Sequence, residues 1–72
     1  MESKVCTYTE PNGERLQLLR VGDKDDFHFE IRANRVIIYR FDRDHALCAR
    51  LVFYHCLHEI LINRSHAMLN LT

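Results

Sequence analysis

The chain has no tryptophan, two glycines, one proline and three cysteines in 72 residues. Each shortage excludes something. With only Gly13 and Gly22 there is no glycine-rich phosphate loop. With so little glycine and proline there is no linker or low-complexity segment, and the whole chain, 1–72, is expected to form a single small domain. Cys6, Cys48 and Cys56 do not make a disulfide framework. On a helix, Cys48 and Cys56 lie two turns apart, about 12 Å, too far to bridge. Free thiols in a reducing compartment are the simpler account, so the expected location is cytoplasmic. The start, MESKVCTYTE, has no apolar core of the kind a secretory signal needs. No apolar run is long enough to span a membrane, because the longest is interrupted by Arg50, Glu59 and two histidines.

Charge of one sign is also lacking: ten Lys and Arg balance ten Asp and Glu. A generic polyanion binder should be basic, so bulk electrostatics argue against one. Eight of the ten basic residues are nonetheless Arg, whose planar fork suits protein interfaces and phosphate contacts.

What is present is a globular composition, 47% hydrophobic and 28% charged. A chain this short buries only about 60% of the surface its unfolded form exposes. Small scaffolds of this kind usually need a staple such as a disulfide, a metal or a second chain. Residues 4–9, KVCTYT, alternate and predict a strand. Glu10-Pro11-Asn12-Gly13 predicts a turn, with Pro presetting φ and Gly supplying a left-handed position. Residues 14–21, ERLQLLRV, read as the second strand of a hairpin, and Gly22 to Asp26 as an acidic loop. Residues 27–32, FHFEIR, alternate, with Phe27, Phe29 and Ile31 on one face and His28, Glu30 and Arg32 on the other. A bend at Ala33-Asn34 leads into RVIIYRF, residues 35–41, with Asn34 the left-handed residue.

The register of that second hairpin has two solutions. A three-residue loop sets Ile37, Tyr39 and Phe41 beside Phe27, Phe29 and Ile31; a two-residue loop sets Val36 and Ile38 there. The first gathers more aromatic area on one side and is preferred.

Asp42 or Asp44 is suited to cap a helix over about 43–62, with Asn63 as its stop and 63–72 as a short tail. Sorted by spacings of three and four, this helix carries three stripes. Ala46, Ala49, Phe53, Cys56 and Ile60 form one; Leu47, Arg50, Tyr54, Leu57 and Leu61 form the next. These two supply the apolar arc a surface helix needs, leaving His45, Val52, Glu59 and Asn63 to solvent. The third stripe, Cys48, Leu51, His55, His58 and Ile62, is surplus. Either it meets a second copy across a two-fold axis, or the tail folds back so that Met68, Leu69 and Leu71 cover Leu51 and Ile62. The dimer is the preferred reading.

Catalytic chemistry finds little foothold. His55 with His58 or Glu59 has helical spacing for two metal ligands, but a structural zinc needs four, and Cys48 is too far away. His45 and Cys48 sit one turn apart near a helix start, yet no orienting group or oxyanion donor accompanies them. No enzyme activity, metal or cofactor is expected. The sequence therefore predicts an α+β fold: a four-stranded, mostly antiparallel sheet of two hairpins with one C-terminal helix packed on one face. The function it favours is a small protein–protein interaction or regulatory module, a homodimer through the helix, with Cys48, Leu51, His55, His58 and Ile62 at the interface. Histidines there would permit a pH-sensitive contact. The alternative is a small nucleic-acid-binding regulator using an Arg-bearing sheet face with Arg20, Arg32, Arg35 and Arg40.

Overall fold

The computed structural model describes the backbone of residues 1–70 and the side chains of residues 1–63. It has an α+β fold, with β1 (Glu2–Thr9), β2 (Arg15–Gly22), β3 (Phe27–Ala33) and β4 (Val36–Asp42) in one open antiparallel sheet, in the order β1-β2-β3-β4. A 3₁₀ turn (Arg43–Cys48) follows, and then a single helix, α1 (Ala49–Asn70).

Local chemistry sets the turns. In the first hairpin Gly13 has φ +90° and its N–H bonds the Glu10 carbonyl at 2.9 Å, while the Asn12 side chain takes the Glu14 N–H at 3.0 Å. In the second hairpin both Asn34 and Arg35 have positive φ, as a two-residue turn twisted like its strands requires. Asn34 also locks this turn to β2: its N–H bonds the Arg15 carbonyl and its Oδ1 accepts the Arg15 N–H at 2.8 Å.

The register of β4 combines both sequence solutions. At the turn Ala33 pairs with Val36, as a two-residue loop demands. Ile38 then bulges out, and beyond it Tyr39 lies opposite Ile31 and Phe41 opposite Phe29, as the preferred solution requires. The consequence for Ile37 is a correction: it pairs with Arg32, on the face away from Tyr39 and Phe41. A second bulge, at Val5, interrupts β1 between Lys4 and Cys6.

The core lies between the sheet and α1. Leu16, Leu18, Phe29, Ile31 and Phe41 from the strands meet Ala49 and Phe53 from the helix, with Val52, Cys56, Leu57 and Ile60 packed around them. Phe29 and Phe41 stack with centroids 5.1 Å apart, and Phe27 meets Phe29 edge-on at 5.6 Å. Small Ala49, 4% exposed, lets the helix approach closely.

The helical region differs from expectation at both ends. Asp42, rather than Asp44, is the cap, accepting the Asp44 N–H at 3.1 Å, but the turn it starts is 3₁₀ through Cys48. None of residues 43–48 is buried, so no packing holds them in the helical phase of α1, and Ala46 and Leu47 leave the stripes assigned to them. At the far end Asn63 does not stop the helix, which runs to Asn70. The following RSHAML has no Gly or Pro, and a single Asn inside a helix costs only about half a kcal/mol relative to Ala. A continuous helix overturns the tail-cover idea for Met68 and Leu69: Met68 lies seventeen residues beyond Leu51, about 25 Å along the axis. Leu71, its third member, lies outside the described residues.

Candidate protein-binding face

The helix contributes less to the core than two stripes. From the second stripe only Leu57 is half-buried against the sheet; Leu47, Tyr54 and Leu61 are exposed. Arg50 of that stripe reaches across to β1, its Nη1 3.3 Å from the Cys6 sulfur. Val52, assigned to solvent by spacing, instead packs against the core. All five residues of the third stripe are exposed, with Leu51 at 70%. His55 lies 3.8 Å from Glu59 one turn on, a loose surface pair.

Sequence spacing missed the other half of this face, which is β4. Val36, Ile37, Ile38 and Tyr39 are all exposed, and Phe41 is the one buried residue of the strand. Tyr39 points to the helix side, its ring 5.9 Å from that of Phe41. Between it and the helix runs an apolar groove of about 460 Å³ lined by Tyr39, Leu51, Val52, His55 and Cys56. Burial, and after it the charge of Glu59, pushes the Cys56 thiol pKa up, which keeps it a packing group rather than a nucleophile. The signal available in the sequence was the unbroken run Val36-Ile37-Ile38-Tyr39, too apolar for a strand with one wet face.

The opposite face of the sheet is polar and internally satisfied. Glu30, on β3, is only 3% exposed and carries no unmet bond. His28 Nε2 lies 2.7 Å from its Oε2; an ionised carboxylate only accepts, so this nitrogen bears the proton. Arg32 donates to Oε1 from Nε at 2.9 Å and Nη2 at 2.6 Å, and Arg40 approaches Oε2 at 3.4 Å. Arg32 also bonds both carboxylate oxygens of Glu2 on β1, at 2.7 and 3.3 Å. Burial alone would raise the Glu30 carboxyl; the bonds from His28 and Arg32, with the Arg32 charge, outweigh it and hold the pKa below the usual value. Bonding to Arg32, then its charge, lowers Glu2 as well. The two carboxylates in turn raise the pKa of the Arg32 guanidinium.

Of the four arginines proposed for a nucleic-acid face, only Arg32 and Arg40 are brought together, around Glu30. Arg20 is on the helix side, its guanidinium 4.0 Å from the centre of the Phe27 ring and its Nη2 bonded to the carbonyls of Asp23 and Lys24. Arg35 stands at the hairpin tip, beside a polar recess of about 250 Å³ that it shares with Gly13, Arg15, Gln17 and Asn34.

His45 is held by Asp42, its Nδ1 3.0 Å from Oδ1, and Cys48 is exposed in the 3₁₀ turn. Among the described residues no three of His, Cys, Asp and Glu are grouped as a metal site requires, and no helix is long and apolar enough to cross a membrane. No protein-family model, no curated protein and no solved structure matches this chain.

Proposed function

We propose that this chain is a non-enzymatic protein-interaction module that works by engaging another protein surface through the helix third stripe and β4. One observation carries the reading: exposed Tyr39 of β4 and Leu51 of α1 face each other across an apolar groove, and Val36 and Ile38 extend the exposed apolar run along β4. An exposed apolar groove next to an exposed apolar edge strand is the kind of surface that marks a contact site. The three unpaired thiols support a reducing compartment, the cytoplasm in this reading.

A photo-crosslinking side chain at Leu51 tests it directly in the producing cells. Discrete adducts are expected from Leu51, and none from a control at exposed Thr9 on β1. Equal labelling at both positions, or none at Leu51, would remove the proposal.

Nucleic-acid binding is the second reading. The recess between Arg15 and Arg35 favours it, because neither guanidinium has a carboxylate partner among the described residues. The paired state of Arg32 and Arg40 weighs on the other side. A labelled oligonucleotide that shifts at low salt, and fails to shift with Arg15→Gln plus Arg35→Gln, would bring this reading forward.

A further inference from the structure

We propose that the occupant of this face is a second copy of the chain, added strand to strand along the free edge of β4, so that two sheets join into one of eight strands and the two helices meet over the junction. The proposal rests on the protein-interaction reading and names its partner.

The edge itself is the first argument. β4 pairs with β3 on one side, and among the described residues nothing pairs with the other. Exposed edges are templates for another strand, and natural ones are blunted with charge. β1, the opposite edge, carries Glu2 and Lys4 and a bulge at Val5. β4 also has a bulge and two charged residues, Arg40 and Asp42, but these follow an unbroken apolar run, Val36 to Tyr39, which β1 lacks.

The groove is the second. A strand laid along β4 would occupy the side of Tyr39 on which Leu51, Val52, His55 and Cys56 open, so one partner covers the strand edge and the groove together. Backbone bonds then supply register and the groove supplies apolar area.

Exposed apolar side chains are the third. Val36, Ile37, Ile38 and Tyr39 of β4 and Leu51 of α1 are 44% to 70% exposed, which leaves apolar area for a partner to cover.

Symmetry is the fourth, and it selects a second copy over an unrelated protein. A two-fold contact places the same patch on both sides, so the patch must tolerate itself. An apolar run does: Arg40 of one strand then falls opposite Ile38 of the other, and its guanidinium approaches Glu30 on its own chain. Antiparallel pairing also sets the Arg35 end of one β4 beside the Asp42 end of the other. Neighbouring Arg43 is turned aside, bonded to the Asp25 carbonyl.

The test uses the full chain in three forms: wild type, Ile38→Lys on β4, and Thr9→Lys on β1 as the edge control, each checked for fold by circular dichroism. Sedimentation equilibrium from about 1 to 100 μM is expected to show a dimer whose dissociation constant rises at least about tenfold in Ile38→Lys and stays unchanged in Thr9→Lys. Isotope-filtered NOE spectra of a mixed-label sample are expected to show contacts between chains within residues 36–42. A monomer at 100 μM would overturn the proposal and leave the interaction reading to the Leu51 crosslinks. A dimer with interchain contacts in the helix alone, or one indifferent to Ile38→Lys, would overturn edge pairing while keeping self-association. Crosslinks from position 38 to a different protein only would overturn the second copy as occupant.

Discussion

The two edges of the sheet are held in opposite ways. β1 is fastened from both faces: Val5, Cys6 and Tyr8 pack toward the core, Arg50 of the helix reaches the Cys6 sulfur, and Glu2 grips Arg32 of β3 from the polar side. β4 has its ladder to β3 and a single buried side chain, Phe41, with Tyr39 half exposed beside it. The edge richest in apolar residues is thus the one its own domain does least to cover. Sequence hydrophobicity and burial part company here. A strand that is apolar yet exposed is either a liability for aggregation or a surface kept for a partner.

The largest effect expected concerns that single anchor. Phe41→Ala removes the ring stacked on Phe29 and should cost about 3–4 kcal/mol, whereas truncating half-buried Tyr8 on the other edge should cost about 1–2 kcal/mol. Since domains of this size hold only about 5 kcal/mol in total, Phe41→Ala should leave a substantial unfolded fraction at 25 °C. Urea denaturation measures both. Equal losses from the two edges would show that β4 is fastened as firmly as β1, and the contrast would fail.

The polar face supplies the next largest effect, because it ties β3 to β1 and leaves β4 almost out. Glu30→Ala strips an acceptor from His28, Arg32 and Arg40 at once, and should cost about 3 kcal/mol, the low end for breaking a buried ion pair, since Arg32 keeps Glu2. The same carboxylate sets an acid limit. Its folded pKa lies below its unfolded one, so the unfolded state binds more protons between the two. The stabilisation is complete above the unfolded value, about 4.3, and is lost as pH falls through the folded value. Chemical denaturation between pH 7 and pH 3 should show stability falling below about pH 4.5, with a shallower fall in Glu30→Ala. Parallel slopes in the two proteins would mean that other carboxylates dominate acid unfolding.

Much of this was readable from residue order, and the gaps have physical causes. Alternation in FHFEIR placed Phe29 and Ile31 inward, and Pro11 to Gly13 and Asn34 marked the turns, because each of those choices is local. RVIIYRF is apolar on both faces, so alternation alone does not decide between two registers, and the bulge at Ile38 uses both. Burial of Glu30 was invisible because a charged residue between two others on a strand face reads as solvated; His28, Glu30 and Arg32 at spacing two were the available sign of a network. Asn63 misled for the opposite reason: a turn residue is decisive only when the residues after it cannot continue the helix. For the candidate face, exposure of Leu51, His55, His58 and Ile62 followed from counting apolar stripes. The share of β4 did not, since its aromatic residues were all assigned to the core and Tyr39 lies only half within it.

The smallest effect is also the most discriminating. Ile38 and Thr9 are exposed edge positions, so lysine at either should change the stability of an isolated chain by no more than about 0.5 kcal/mol. If β4 is covered by a second copy, the wild-type melting temperature must rise with protein concentration, because only the folded state associates. Thr9→Lys should keep that dependence and Ile38→Lys should lose it, so that the variants melt together when dilute and apart when concentrated. Melting curves over a hundredfold range of concentration decide it. Three coincident, concentration-independent curves would make β4 an exposed edge no different in kind from β1, whereas a dependence that survives Ile38→Lys would move the contact to the helix.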